Sequence, residues 1–491
     1  MNNKVIISPG AKIKALGTID KPIQFMPIAP DWDIPVGIEI NADDSGGYAG
    51  EFKYCLFGTQ IIGINTPLLS FNNCTFKNPM MIEIGGLFPN PVKGSMKNSI
   101  VARGNMGGMD REIGYLYNLN VSYSLVPVGY KGTGEGIIWD YENFDWETQV
   151  KPSSTSPCIN AGDPYDTTDP DGTRKDIGVY YFSLNDAVRV PQNYATIQEA
   201  IDAAKMTQTK VVIVSSGVYT ENLTLPYGVR LMGESEVNKP IIVGTQPQTN
   251  IISIIEDWAS QNTCLIENFR IERNGENKTG RVISTGNNVK LLLKNIDFDN
   301  CNNNEAVIYK DLFSSLNLYK INFNNNSNNG TLIYINYSGW SELRNLIKDC
   351  SFNNNNQNDS LINFLGDNTW EEFKNIINGN VFSNNSASAL ITCNTLYEFF
   401  NEISSSLLIE RSIFNNNINT AIKSDLYSRI NIESSTFYSN VPPAERLNFL
   451  INDNTRLRIR NVIIWDSTVS FTKSPASEAS INYSDFNCAV P

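Results

Sequence analysis

Short apolar stretches alternate with clusters of asparagine through the second half of the chain. Each repeat has a brief strand-like phrase with phenylalanine at its centre, followed by a polar turn rich in asparagine. A period of 23 to 32 residues with one strand and one turn per repeat predicts a solenoid whose coils carry loops of unequal length. The central phenylalanines are Phe298, Phe323, Phe352, Phe382, Phe414 and Phe437.

The two residue types of the repeat suit a stacked coil. In such a coil each position recurs above itself at about 4.8 Å, so a phenylalanine in every coil forms an internal stack. Asparagine tolerates the left-handed backbone of a tight turn, and stacked amides can form a hydrogen-bonded ladder. An unfolded, asparagine-rich segment of low complexity is the alternative. The apolar strands between the asparagine clusters favour the folded solenoid.

Residues 321–326 and 350–355 show the repeat in its fullest form, Ile-Asn-Phe-Asn-Asn-Asn and Cys-Ser-Phe-Asn-Asn-Asn. This pattern resembles the right-handed parallel β-helices of the pectin-lyase-like superfamily. It is most similar to the large repeat proteins of bacterial surfaces and secretions. The resemblance implies an all-β fold, a right-handed parallel β-helix solenoid, and the chain of 491 residues is long enough for two tandem domains of this kind.

A second domain is predicted to begin near residue 186. The sequence Thr196-Ile197-Gln198-Glu199 is a capping box that predicts a helix ending near Lys205, followed by a buried strand at 211–214. This stretch resembles the N-terminal cap and first coil of pectin-lyase-like domains. The resemblance implies that an amphipathic helix covers the open end of the solenoid in a domain spanning 186–491.

Residues 1–185 are interpreted as the C-terminal part of a first β-helix domain. The chain begins directly with short strands and Gly/Pro turns, so more protein is expected to precede Met1. Residues 156–164 and 169–180 resemble the closing segment of bacterial β-helix repeat domains. Residues 186–491 end without such a segment, so the chain is expected to be a piece of a longer tandem array.

The closing segment contains the candidate metal ligands Asp169, Asp171 and Asp176. Ca2+ is a hard cation that takes several oxygen ligands, so these acids are candidates to bind it. The spacing is not that of the full twelve-residue calcium loop, and an Asp/Gly turn in which Arg174 neutralises the acids is the alternative. Ca2+ is the only cofactor that the sequence suggests.

Composition restricts the partners and the chemistry. The net charge of −13 argues against nucleic acid and anionic membranes as partners, and no apolar run approaches the ~18 residues of a membrane span. The absence of histidine excludes Ser-His-Asp and Cys-His catalysis and most zinc and iron sites. None of the eight cysteines forms a Cys-x-x-Cys pair, so we expect core residues, with disulfides between coils as the alternative.

Catalysis in this fold would require carboxylates on one strand face. The pair Asp297 and Asp299 shares a face on either side of Phe298, and Asp349 and Asp466 lie in later coils. Solvated acids are the favoured interpretation over a catalytic set. Two tryptophans, Trp340 and Trp370, are candidates for a sugar platform or for loop packing.

The sequence therefore favours a non-enzymatic, extracellular or cell-surface protein with a structural or adhesive role in a layer or fibre. The alternative is a polysaccharide-binding or polysaccharide-degrading β-helix protein, and a trimeric phage tailspike is a third hypothesis. The expected partners are a polysaccharide or further copies of the chain.

Overall fold

The computed structural model describes residues 4–26, 37–41, 48–58, 60–64, 68–77, 93–102, 119–127, 130, 132, 134–139, 150–245, 248–255, 263–273, 279–302, 305–312, 314–328, 330–338, 345–367, 375–395, 405–424, 428–438, 440, 447–452, 455–465, 469–482 and 484–486. The chain divides into two compact units, Met1–Asp186 and Ala187–Pro491. The assignment of these units to tandem domains stays a prediction. In the described ranges, no helix has the length and apolarity needed to cross a membrane.

The first unit contains three parallel sheets of three, five and six strands. The three-stranded sheet comprises Lys4–Ile7, Gly37–Asn41 and Gln60–Ile64. The five-stranded sheet comprises Ile13–Leu16, Tyr48–Lys53, Leu68–Asn72, Lys93–Lys97 and Leu119–Ser122. The six-stranded sheet comprises Ile23–Phe25, Cys55–Phe57, Thr75–Phe76, Ile100–Val101, Leu125–Val126 and Ile138–Trp139.

The second unit contains three longer parallel sheets, which we call sheets A, B and C. Sheet A comprises Val188–Val190, Val211–Val214, Arg230–Gly233, Thr263–Glu267, Lys290–Lys294, Ser315–Tyr319, Asn345–Lys348, Asn375–Asn378, Ser405–Glu410, Ser428–Glu433, Arg456–Arg460 and Glu478–Asn482. Sheet B comprises Val218–Thr220, Ile241–Val243, Arg270–Glu272, Asp297–Asp299, Asn322–Asn324, Ser351–Asn353, Val381–Ser383, Ile413–Asn415, Thr436–Tyr438, Ile463–Trp465 and Asp485–Phe486. Sheet C comprises Leu223–Leu225, Ile252–Ile254, Ile283–Thr285, Ile308–Lys310, Ser327–Asn328, Ile333–Ser338, Asn356–Gln357, Ile362–Asp367, Ser386–Thr395, Ile418–Ser424, Leu447–Ile451 and Val469–Lys473.

The chain visits sheets A, B and C in turn, and each strand pairs in parallel with the strand one coil later. The fold is a right-handed parallel β-helix, which confirms the architecture implied by the sequence resemblance.

The predicted phenylalanine stack lies on the inner side of sheet B. Neighbouring rings from Phe298 to Phe437 lie 4.4 to 5.0 Å apart between centroids and are inclined by at most 13°. All six side chains are fully buried. The sheet B strands that carry these phenylalanines have three residues each. The central phenylalanine therefore points inward and its two neighbours point outward.

Adjacent asparagines divide the two functions predicted for the turns. In four coils the first asparagine of the pair takes the left-handed backbone, with φ between 53° and 55°; these are Asn325, Asn354, Asn384 and Asn416. The second is buried and donates its amide N–H to the buried asparagine of the next coil at 2.9 or 3.0 Å; the donors are Asn326, Asn355, Asn385 and Asn417, and Asn440 accepts the last of these bonds. The amide ladder is thereby confirmed.

The predicted helix is present as Ile197–Ala204. The Thr196 side chain accepts the Glu199 backbone N–H, and the Glu199 side chain accepts the Thr196 backbone N–H, so the capping box is confirmed. The buried face of the helix comprises Ile197, Ala200, Ile201 and Ala204. It belongs to the same apolar core as the first strands of sheets A and C.

The seven cysteines of the described ranges are buried and form no disulfide. Their thiols lie in the apolar interior, and burial raises the pKa of Cys301 and Cys350 to about 12. These cysteines act as small core residues, as the sequence predicted. Cys488 lies outside the described residues.

Candidate functional site

The three predicted calcium ligands lie in the strand-free segment of the first unit. The Oδ2 atom of Asp169 accepts the backbone N–H of Asp176 at 2.7 Å, and both carboxylate oxygens of Asp176 and of Asp171 also accept hydrogen bonds. The backbone donors to the latter two acids are Asn160, Thr173, Phe182 and Leu184. These acids therefore hold the loop together through its own N–H groups.

Burial raises the pKa of Asp169 to about 6, because the charged carboxylate loses its hydration. The Asp176 N–H and the positive charge of Lys175 oppose this shift. Arg174, which the alternative prediction made the neutralising cation, donates its Nε–H to the Gly162 carbonyl at 2.7 Å. In the described part of the chain no group of three acidic or cysteine side chains is arranged to hold a metal ion. Calcium binding at the three aspartates stays a prediction.

Acidic and basic side chains gather on the outer face of sheet B around Phe298. Asp297 pairs with Lys239 (Oδ2–Nζ 2.8 Å), and Asp299 pairs with Arg270 (Oδ2–Nη2 2.9 Å). Arg270 also lies 2.6 Å from Glu272 (Nε–Oε1), without the alignment of a hydrogen bond. We call these five residues the charged network.

The charged network joins acids and bases on one face, as a polysaccharide-cleaving enzyme would require. However, both aspartates are partly buried and each is already paired with a cation. The second oxygen of Asp297 accepts the Asn322 amide at 2.7 Å. The sequence predicted solvated acids here and missed the cations, because Lys239 and Arg270 are distant in sequence and reach this face only through the coil stacking.

Other candidates from the sequence lie away from this network or outside the described residues. Asp349 has the left-handed backbone of the turn between sheets A and B, and its carboxylate pairs with Lys348. It therefore does not join the face that carries Asp297. Trp340, Trp370 and Asp466 are outside the described residues.

Further along the same outer face, charged side chains give way to exposed apolar ones. Val381, Ile413 and Ile463 are 38–45% exposed, and Tyr438 and Trp465 are 39% and 56% exposed. Ile413 follows Val381 in register, and Tyr438 is directly opposite Trp465. We call these five residues the exposed strip. Their inward neighbours are fully buried, so the strip is a separate surface and not part of the core.

Neutral polar side chains lie between the charged network and the exposed strip. In register along sheet B they are Asn322 and Asn324, then Ser351 and Asn353, with Ser383 beside Val381. Amides and hydroxyls both donate and accept hydrogen bonds. The outer face of these coils therefore combines hydrogen-bonding groups with a pair of exposed aromatic rings.

The sequence contains a signal for the strip. In Ile463-Ile464-Trp465 the residues on both sides of the inward position are large and apolar, whereas the repeats centred on Phe298, Phe323 and Phe352 carry charged or neutral polar residues there. Outward positions in a three-residue strand can be recognised once the inward phenylalanine is known.

No protein-family model matches the chain, and no curated protein matches its sequence. Among solved structures, the chain is similar to the A-module of mannuronan C-5 epimerase AlgE4 from Azotobacter vinelandii (13% identity, 59% of this chain and 90% of that chain, TM-score 0.34). It is also similar to the surface protein and adhesin PfbA of Streptococcus pneumoniae (12% identity, 59% and 94%, TM-score 0.30). A third similar structure is tailspike protein gp49 of Acinetobacter baumannii bacteriophage Fri1, a capsular polysaccharide depolymerase (10% identity, 59% and 61%, TM-score 0.30).

At these scores the similarities carry no functional argument. The fold rests on the strand pairing within the chain itself.

Proposed function

We propose that the chain is a non-catalytic, polysaccharide-binding β-helix protein with an adhesive role at the cell surface or outside the cell. The observation that carries this proposal is the exposed strip, with Tyr438 and Trp465 opposite each other on neighbouring strands. Soluble proteins rarely leave a contiguous apolar surface uncovered unless it binds a partner.

A sugar polymer suits this surface chemically. The apolar face of a sugar ring packs against an aromatic ring, while sugar hydroxyls need donors and acceptors nearby. Sheet B offers the aromatic pair at one end and outward asparagine and serine side chains in the coils before it. Strands about 4.8 Å apart repeat these groups along the axis, which suits an extended ligand better than a compact one.

The non-catalytic part of the proposal rests on the charged network. Glycoside hydrolysis uses two carboxylates with different roles, one of them a proton donor. Asp297 and Asp299 are each held by a cation on the same face, so neither is presented as a free acid. The strip itself contains no carboxylate.

Binding to a panel of neutral and acidic polysaccharides tests the proposal, with new reducing ends measured in the same samples. We expect wild-type protein to bind without cleaving, and Trp465→Ala to lower the affinity by about tenfold or more, since buried aromatic anchors dominate binding energy. Tyr227→Ala is the matched control, because Tyr227 is 41% exposed and lies outside the strip. Equal binding by Trp465→Ala, or release of reducing ends, would contradict the proposal.

Self-association through the strip is the second candidate, because an exposed apolar face also suits a second copy of the chain. Sedimentation equilibrium distinguishes the two. Under the main proposal wild type and Trp465→Ala have the same mass in solution. A wild-type oligomer that Trp465→Ala converts to monomer would assign the strip to assembly.

A further inference from the structure

Arginines are concentrated on the outer face of sheet A in its last coils. The strand Arg456–Arg460 reads Arg-Leu-Arg-Ile-Arg, with its leucine and isoleucine buried in the core. Arg456 and Arg458 are therefore on the outer face, where both are exposed. Arg429 of the preceding strand is in register with Arg456. We call Arg429, Arg456 and Arg458 the arginine patch.

The patch lines a surface depression of about 470 Å³. Its walls contain one acid, Glu478, whose Oε2 atom lies 3.4 Å from Nε of Arg456. Both side chains of that pair are more than half exposed, so the pairing is weak. Within the described ranges no ion pair neutralises Arg429 or Arg458. Three arginines thus surround one glutamate in a chain whose net charge is −13.

This arrangement places like charges next to each other on the protein surface. Like charges in register on neighbouring strands repel each other, and Arg429 lies about 4.8 Å from Arg456 along the strand-pairing direction. The residues in register with Arg458 are Asn431 and Ser480, which are neutral. The fold offsets this repulsion only through the exposed Arg456–Glu478 pair, and a local rule broken with so little compensation is typical of a binding surface.

We propose that the arginine patch binds the carboxylate groups of an acidic polysaccharide and so determines which polymer the protein selects. This inference rests on the proposed function and names its ligand class. The guanidinium group presents a planar set of donors that matches a carboxylate with two parallel hydrogen bonds. Asn431 and Ser480, which also line the depression, supply hydrogen bonds to sugar hydroxyls.

The position of the patch links it to the exposed strip. The strand Arg456–Arg460 ends at the Asn461 turn, and the next strand, Ile463–Trp465, carries two residues of the strip. The patch and the strip therefore occupy adjoining faces of the same coils. One polymer can place carboxylates on the arginines and a sugar ring on Trp465. Nucleic acid is disfavoured because it carries a denser negative charge than a polymer with one carboxylate per sugar, and the acidic chain repels it more strongly.

The experiment measures binding of the full chain by calorimetry at low salt in a chelating buffer. The probes are sodium polygalacturonate, its fully methyl-esterified neutral form, dextran sulfate and duplex DNA. The variant is Arg456→Gln/Arg458→Gln, and Arg458→Lys retains the charge without the planar donor set. Arg189→Gln is the matched control, because Arg189 lies on the same sheet in its first strand and pairs with Glu234. The thermal unfolding midpoint of each variant checks that it is folded.

We expect wild type to prefer polygalacturonate to its neutral ester by about tenfold or more, with the preference lost at high salt. The double glutamine variant should lose this preference yet bind the neutral ester like wild type, and Arg458→Lys should lie between the two. Arg189→Gln should behave like wild type. Trp465→Ala should weaken the binding of both polymers equally.

Equal binding of polygalacturonate and its ester by wild type overturns the inference but leaves the proposed function intact. The inference is overturned in the same way if Arg456→Gln/Arg458→Gln keeps the wild-type preference for polygalacturonate. Tighter binding of dextran sulfate or DNA than of polygalacturonate overturns the choice of carboxylate polymer. If wild type binds no polysaccharide of either panel, the proposed function fails, and this inference fails with it.

Discussion

The charged network and the exposed strip occupy one outer face of one sheet, on strands of the same length and with the same inward packing. Around Phe298 the outward residues are acids and bases that neutralise one another. Around Phe414 and Phe437 the outward residues are Ile413 and Asn415, then Thr436 and Tyr438, so exposed apolar side chains lie beside neutral polar ones and no charged residue is among them. The first region pairs its polar groups within its own chain, whereas the second leaves large apolar side chains exposed.

This difference separates the requirements of the fold from those of binding. The inward positions repeat from coil to coil because each ring stacks on the next. The outward positions are free to vary, because their side chains take no part in this stack. In this solenoid, function is therefore to be sought in departures from the polar outward pattern and not in the repeat itself.

The largest expected effect comes from the inward positions, which should respond alike in both regions. Phe298→Ala and Phe382→Ala should each destabilise the second unit by about 3–5 kcal/mol, through lost burial and the cavity left in the stack. Urea unfolding followed by circular dichroism measures this. Val381→Ala, on the outer side of the Phe382 strand, is the control and should change stability by less than about 0.5 kcal/mol. A much smaller cost for Phe298→Ala than for Phe382→Ala would show that the two regions differ inside as well.

The next effect concerns the amide ladder, which runs from Asn326 to Asn440. Asn385 donates to the Phe352 carbonyl and to Asn417, each at 2.9 Å, and accepts the Asn355 amide. Asn385→Ala leaves these buried groups without partners and should cost about 2–3 kcal/mol in urea unfolding. Asn384→Gly is the control, because the Asn384 side chain is exposed and donates only a long hydrogen bond of 3.4 Å to Asn353, and glycine adopts the left-handed backbone of this turn freely. A cost for Asn384→Gly equal to that for Asn385→Ala would contradict the division of roles between the two asparagines.

A pH effect of similar or smaller size is expected in the first unit, where acids are also held by their own chain. The pKa of Asp169 is about 6 in the folded chain and about 3.9 in the unfolded chain. Its contribution to stability is therefore complete below the unfolded pKa and is lost as the pH rises through the folded pKa. Asp169→Asn should therefore resemble wild type at pH 4 and become relatively more stable by pH 7. Thermal unfolding midpoints across this range measure the difference.

Asp163→Asn is a control of opposite sign for that titration. Lys97 lies 2.6 Å from Asp163 and lowers its pKa, so its contribution is present at neutral pH and is lost as the pH falls through the lowered value. Millimolar Ca2+ or a chelator should leave both curves unchanged, because backbone N–H groups already occupy oxygens of all three predicted ligands. A calcium-dependent rise in the wild-type midpoint that Asp169→Asn abolishes would establish the calcium site.

The fold could be predicted from the sequence because its determinants are local and repeated. Phe323-Asn324-Asn325-Asn326 specifies in four residues the inward ring, the left-handed turn and the ladder amide. The candidate sites could not be predicted in the same way. Lys239 reaches Asp297 across 58 residues, and a coil of variable length does not reveal that register.

The smallest expected effect decides whether the charged network is structural or functional. Lys239 is 10% exposed and Asp297 is 27% exposed, so their pair is partly shielded from water, and Lys239→Met should cost about 1 kcal/mol. A double-mutant cycle with Asp297→Asn isolates the pair energy, since the variant amide keeps an acceptor for Asn322. Polysaccharide affinity should be unchanged in either variant, in contrast to Trp465→Ala, which should lose affinity without losing stability. If Lys239→Met instead abolishes polysaccharide binding, or if it frees Asp297 and reducing ends are released, the assignment is reversed. The charged network would then be the functional site, and the exposed strip would only lie beside it.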